Sequence, residues 1–112
     1  NSILSYMGRK GFHSETGVLL FNCKHPQIKN FINDMFNYYN NDLIYNEKEF
    51  HDAYIWDILI NKYTEKGFKF NNISKNHKQF GKAYHVLRFT HLNKYLEHRK
   101  GPSVKSNLNI IF

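Results

Sequence analysis

The chain has 112 residues, 41% of them hydrophobic and 17% aromatic, which is typical of a single globular domain and excludes a disordered chain. The formal net charge of +7 would suit a polyanionic partner, but the basic residues are spread along the chain and could equally reflect a coding bias. No apolar run approaches the roughly 20 residues of a membrane span, no secretory signal is visible, and a single cysteine indicates a reduced, cytoplasmic setting.

The first half of the chain predicts one strand followed by one helix. Residues 17–21 form a short apolar run after a glycine, which predicts a buried strand. Pro26 stands where a helix would start, and the Asn40-Asn41-Asp42 cluster would end it. The apolar stripe of this helix, at three- and four-residue spacing, comprises Ile28, Phe31, Ile32, Met35, Phe36 and Tyr39.

A second helix is predicted over residues 47–66, because its acidic start and late lysines match the helix dipole and Gly67 is a natural residue after a helix end. Its expected inner face comprises Ala53, Trp56, Ile60 and Tyr63. Residues 68–73 and 84–89 alternate in polarity and predict strands around a polar loop. Thr90 can cap a short third helix that carries Leu92, Tyr95 and Leu96. The fold class is therefore α/β, with few strands and three helices in one domain, 1–112.

Several candidate sites follow from residue types alone. Cys23 and His25 are the only close-set pair of zinc ligands, and without a second pair a structural zinc site is disfavoured. Cys23 lacks an identifiable base, so a small buried thiol is the expected state. The pair of Glu49 and Asp52 would share a helix face, although an acid near a helix N-terminus needs no further role. Charge and aromatics would also allow a small nucleic-acid-binding module, but most aromatics fall at core spacing.

The segment 96–105 has two interpretations. His98, Lys100, Gly101 and Lys105 are the residue types that hold a metal-bound diphosphate, with cations placed where negative charge develops. The same segment also fits an ordinary helix end, with cations in the last turn, Gly101 after it and Pro102 beyond. On this segment alone, the helix end is the simpler interpretation.

Three segments in order resemble a glycosyltransferase family. Residues 15–22, Glu-Thr-Gly-Val-Leu-Leu-Phe-Asn, are similar to the N-x-G-hydrophobic strand of glycogenin-like and lipopolysaccharide galactosyltransferase-like enzymes. Residues 51–57, His-Asp-Ala-Tyr-Ile-Trp-Asp, resemble the D-Q-D helix start of that family, and His98 to Lys105 resemble its closing H-x-x-G-x-x-K. The whole pattern, which ends in a His-x-Lys-Gly segment, also resembles uncharacterised glycosyltransferase-like proteins.

The resemblance implies a GT-A fold, a nucleotide-sugar donor, an acceptor and a divalent metal, usually manganese. His98 would be a metal ligand, Gly101 would let the backbone approach the diphosphate, and Lys100 and Lys105 would neutralise it. Asp52 would be the catalytic carboxylate, lining the donor-sugar or acceptor pocket together with Glu15 and Gly17.

The sequence departs from the family pattern at several positions, and these departures indicate only part of such an enzyme. Glu15 replaces the usual Asn, Ala53 replaces Gln, one extra residue separates Gly101 from Lys105, and no Asp-x-Asp occurs in the sequence. The first residue is Asn1 rather than Met. The chain is therefore expected to be the C-terminal portion of such an enzyme. Its partner would be the missing N-terminal half, and alone it would neither bind nucleotide sugar tightly nor turn over.

Overall fold

The computed structural model describes residues 1–75, 87 and 90–96. In this part of the chain, two strands come first, β1 (Leu4–Arg9) and β2 (Phe12–Phe21). Helix α1 (Ile28–Asn40), a 3₁₀ turn (Leu43–Asn46) and helix α2 (Asp52–Glu65) follow. A short strand β3 (Asn71–Asn72) and a second 3₁₀ turn (His91–Lys94) complete the described elements. The expected α/β class is confirmed.

The sheet has the order β2-β1-β3. Strands β1 and β2 form an antiparallel hairpin in which Leu4 pairs with Phe21 and Met7 with Glu15, and β3 runs parallel to β1. Gly11 in the hairpin turn has a φ of +76°, a conformation that glycine adopts without steric cost. Because β2 lies at the edge of the described sheet, one of its edges has no neighbouring strand among the described elements.

The core lies where α1 and α2 pack together and against the sheet. Its central residue is Phe31 of α1, whose side chain is inaccessible to solvent. The Phe31 ring stacks on Trp56 of α2 at a centroid distance of 5.5 Å and meets the Tyr63 ring edge to face at 5.1 Å. The other fully buried apolar side chains around it are Ile3, Leu4, Ile55 and Leu59. This core fixes the start of α2 against β2, where the candidate site lies.

Several expected elements differ from the structure. The strand predicted over 17–21 is the second half of the longer β2, and it is not buried, since Leu20 and Phe21 are 48% and 40% exposed at the sheet edge. Strand β1 was not predicted, and of residues 68–73 only Asn71–Asn72 pair as a strand. The strand predicted over 84–89 lies outside the described residues, apart from Leu87.

The helices also depart from the predicted patterns. In α1 the buried stripe includes Tyr38, whereas Phe36 and Tyr39 are 57% and 43% exposed. Helix α2 begins at Asp52 instead of residue 47, because the His51 imidazole caps the helix by accepting a hydrogen bond from the Tyr54 N–H. Its most buried positions are Ile55, Leu59, Ile60 and Tyr63. Ala53 and Trp56, which were expected on the inner face, are only partly buried.

The third predicted helix is a 3₁₀ turn, His91–Lys94. The Thr90 hydroxyl does not cap it but donates to the Leu87 carbonyl at 2.9 Å. Gly67, by contrast, has a φ of +91° directly after the end of α2, as predicted for a residue that follows a helix. No helix among the described residues is both long enough and apolar enough to cross a membrane.

Candidate functional site

The edge strand β2 and the start of α2 bring together two of the segments in which the sequence predicted site residues. The Thr16 hydroxyl donates to Asp52 Oδ2 at 3.2 Å, and Asp52 Oδ1 accepts from the Ala53 N–H at 2.8 Å. Asp52 is exposed at the first position of α2. The predicted carboxylate therefore lies beside the strand that carries Glu15 and Gly17.

Glu15 and Gly17 contact each other within β2. The Gly17 N–H donates to Glu15 Oε1 at 2.9 Å, and Arg9 Nη1 lies 3.9 Å from Glu15 Oε2. A Cβ at position 17 would lie only 3.1 Å from Glu15 Oε1, so the carboxylate would have to shift. The absence of a Cβ at Gly17 therefore leaves room for the Glu15 carboxylate to fold back onto the backbone of its own strand.

The remaining predicted site residues, His98, Lys100, Gly101 and Lys105, lie outside the described residues. The manganese ligand and the diphosphate contacts expected from the resemblance stay predictions. Cys23, expected to be buried, is exposed, and its Sγ lies 3.9 Å from the Phe21 carbonyl. His25 accepts from the Gln27 N–H at 3.0 Å through Nδ1.

A second group of polar side chains, which the sequence did not predict, lies next to Asp52. His13 on β2 places Nε2 2.6 Å from Glu49 Oε2, and His51 Nε2 lies 3.6 Å from the same oxygen. The rings of His13 and His51 meet edge to face, with centroids 5.0 Å apart. Among the described residues this is the one group of three or more ligand side chains that could hold a metal ion.

A further carboxylate lies behind His13. Asp57 Oδ2 lies 3.5 Å from His13 Nδ1 and accepts a hydrogen bond from the Ser14 N–H at 3.0 Å. Burial, and then the negative charge of Asp57, raises the pKa of Tyr6 on the neighbouring strand above its ordinary value of 10.0. Asp57 thus ties α2 to β2 and faces one nitrogen of His13 while Glu49 faces the other.

The sequence contained one signal for this cluster. Glu49 and His51 are two residues apart, and the backbone at His51 is extended, so their side chains point the same way. The prediction instead assumed that Glu49 belonged to the helix and shared a face with Asp52, which is wrong. Asp52 bonds to Thr16, whereas Glu49 pairs with the two histidines.

The described residues define a small α/β domain in which polar side chains collect between an edge strand and a helix start. His13 and Glu49 also line an open pocket of about 560 Å³, together with Arg9, Gly11 and Phe12. Comparison with protein-family models, curated proteins and solved structures found no match to this chain.

Proposed function

We propose that this chain contributes the C-terminal portion of a GT-A-type glycosyltransferase, which transfers a sugar from a nucleotide-diphosphate donor to an acceptor. The observation that carries the proposal is the 3.2 Å hydrogen bond between Thr16 and Asp52. It joins two of the segments in which the sequence resembles that family. A shared sugar pocket requires these segments to be neighbours, although they are far apart in the sequence.

The chemistry of Asp52 suits this role. A carboxylate offers about four lone-pair positions, and Thr16 and Ala53 each donate one hydrogen bond to Asp52. The exposed carboxylate therefore retains acceptor capacity for sugar hydroxyls. Its two protein contacts fix its direction, so a bound hydroxyl would meet a group that is already oriented. The contacts with the diphosphate and manganese would come from His98, Lys100, Gly101 and Lys105, and from an Asp-x-Asp elsewhere in the protein.

The proposal is tested on the natural protein, including the upstream polypeptide that it requires. The reading frame should continue before Asn1 and encode a strand that ends in Asp-x-Asp. The assay is manganese-dependent release of nucleoside diphosphate from a panel of nucleotide sugars. Asp52→Asn should lower kcat/KM roughly 10- to 100-fold, as expected when one charge-assisted hydrogen bond worth about 1.5–3 kcal/mol is lost.

The matched control is Asp42→Asn. Asp42 is also exposed, its side chain makes no capping hydrogen bond, and its φ of 55° is a conformation that asparagine tolerates. This variant should turn over at the wild-type rate. A reading frame without the upstream Asp-x-Asp, or equal losses in the two variants, would contradict the proposal.

A nucleic-acid-binding module is the second candidate, and a specific observation favours it. The aromatics were expected mainly in the core, yet Tyr45 and Phe50 are 68% and 61% exposed and their rings meet at a centroid distance of 5.7 Å. Exposed rings on a basic protein can stack with the bases of single-stranded nucleic acid. This candidate requires binding that weakens steeply with salt and falls in Tyr45→Ala. Salt-independent or absent binding would exclude it.

A further inference from the structure

The cluster of His13, Glu49 and His51 draws one side chain from each of three places in the fold. His13 lies on β2, Glu49 lies in the segment that precedes α2, and His51 is the residue that caps α2. The three ligand atoms all lie within 4.8 Å of one another. Their side chains are 36%, 41% and 47% exposed, so an ion can enter from solvent.

The spacing of these atoms is close to that of a tetrahedral zinc site. Ligand atoms about 2.0–2.1 Å from one zinc ion lie roughly 3.3 Å from each other. Glu49 Oε2 lies 3.6 Å from His51 Nε2 and 2.6 Å from His13 Nε2. A tetrahedral geometry would open the His13–Glu49 pair by roughly 0.7 Å and close the His51–Glu49 pair by roughly 0.3 Å. The third pair, His13 and His51, lies within 4.8 Å. Side-chain rotation can supply these shifts because all three side chains are partly exposed.

The other ring nitrogen of His13, Nδ1, lies near a carboxylate, as is usual for metal-bound histidines. A ligating histidine commonly donates its other N–H to a carboxylate, which fixes the tautomer and the ring orientation. Asp57 Oδ2, at 3.5 Å from His13 Nδ1, is placed for this role and is itself held by the Ser14 N–H.

We propose that His13, Glu49 and His51 form a zinc site, with Asp57 as the carboxylate that orients His13. Two histidines and one glutamate are a common set of protein ligands where zinc keeps a fourth position for water or substrate. Two of the three ligands, His13 and Glu49, also line the open pocket together with Arg9 and Phe12. Its ligands are different residues from the His98 expected to bind manganese, and the proposal does not depend on the proposed glycosyl transfer.

Without zinc, the same residues form a hydrogen-bonded network between β2 and α2. If the cluster serves only as this link between the two elements, it should show no preference for zinc over other cations. The two possibilities are therefore separated by metal titration of the wild-type chain. Zinc should bind with a stoichiometry of one, and Co²⁺ should give the visible absorption of a tetrahedral complex with nitrogen and oxygen ligands.

Variants assign the binding to these residues. Loss of an orienting carboxylate typically weakens metal binding roughly 10- to 100-fold. Loss of a ligand should weaken zinc binding by at least that much, which is the result expected for His13→Gln, Glu49→Gln and His51→Asn. Asp57→Asn should give a loss within that range. The matched controls, His91→Gln and Glu65→Gln, change exposed residues outside the cluster and should bind zinc as the wild type does.

A measurement on the wild-type chain guards against variants that fail to fold. Diethylpyrocarbonate modifies accessible imidazoles, and peptide mass spectrometry locates the modification. Zinc should protect His13 and His51, while the modification of His91 should stay unchanged. A wild-type chain that binds no zinc, equal protection of all three histidines, or folded cluster variants with unchanged affinity would overturn the proposal.

Discussion

The phenol of Tyr63 on α2 donates a hydrogen bond to Asp34 Oδ2 on α1 at 2.6 Å. Tyr63 is only 3% exposed, and its ring packs against Phe31 in the core. The pair joins the two helices at the point where their apolar faces meet. The ring of this buried side chain therefore lies among apolar groups, while its hydroxyl has a charged hydrogen-bond acceptor.

Tyr63→Phe should lower the free energy of unfolding by about 1–3 kcal/mol, because the hydrogen bond to a charged acceptor is lost and the ring remains. Urea unfolding followed by circular dichroism measures the change. The control, Tyr45→Phe, removes an exposed hydroxyl and should change stability by less than about 0.5 kcal/mol. Equal effects of the two substitutions would show that the bond to Asp34 does not stabilise the fold.

The same pair predicts a loss of stability at alkaline pH. Burial, then the hydrogen bond to Asp34 and its negative charge, raises the pKa of Tyr63 above its ordinary value of 10.0. The folded state thus keeps a proton that the unfolded state loses, so the stabilisation is complete below about pH 10 and declines above it. Tyr6, Tyr38 and Tyr39 act in the same direction. Stability should fall more steeply above pH 10 in the wild type than in Tyr63→Phe; parallel curves would contradict this.

Two substitutions at His51 test whether this residue stabilises the protein by capping α2. His51 Nδ1 accepts from the Tyr54 N–H at 3.3 Å, so His51→Ala should cost about 0.5–2 kcal/mol. Asparagine is a preferred capping residue, and His51→Asn should retain most of the wild-type stability. Chemical unfolding in the presence of a chelator measures both. If alanine and asparagine destabilise equally, His51 does not act as a cap.

Phe31 should be among the costliest positions to truncate. Its ring contacts those of Trp56, Tyr63 and Phe70 at centroid distances of 5.1–5.5 Å, so Phe31→Ala should lose about 3–5 kcal/mol. Trp56 is the one tryptophan of the sequence, and its fluorescence reports unfolding directly. Phe36→Ala, on the exposed side of the same helix, should cost less than about 1 kcal/mol. A similar loss at both positions would contradict the central place of Phe31 in the core.

Local signals in the sequence predicted more of this fold than of its site. Pro26, the Asn40 to Asp42 cluster and Gly67 mark helix boundaries through their own backbone preferences, and the structure confirms those boundaries within about two residues. Strand β1 is not predicted because its formation depends on pairing with β2 and on burial of Leu4 and Met7, which the local pattern does not encode.

The His13 cluster could not be predicted for the same reason. His13 joins Glu49 and His51 only when α2 packs on β2, and the position of Glu49 also fits an acid that complements a helix dipole. The actual cap of α2, His51, is not a preferred capping residue, so the sequence predicts a start about five residues before the observed one at Asp52.

The final prediction links the proposed zinc site to the cap of α2. A neutral imidazole has one N–H and one free nitrogen. His51 Nδ1 accepts from the Tyr54 N–H, so Nε2 carries the proton towards Glu49. Zinc at Nε2 would move the proton to Nδ1, and the Tyr54 N–H would lose its acceptor. In ¹⁵N spectra, zinc should therefore shift the Tyr54 amide signal and speed its hydrogen exchange.

The Gly17 amide is the matched reference for this measurement. It also donates to a side chain near the site, Glu15 Oε1 at 2.9 Å, but Glu15 is not a proposed ligand. Its exchange should stay unchanged when zinc is added. If zinc binds and the Tyr54 amide keeps its exchange rate, the ion is not bound through His51 Nε2, because that nitrogen cannot hold zinc while Nδ1 accepts the capping hydrogen bond.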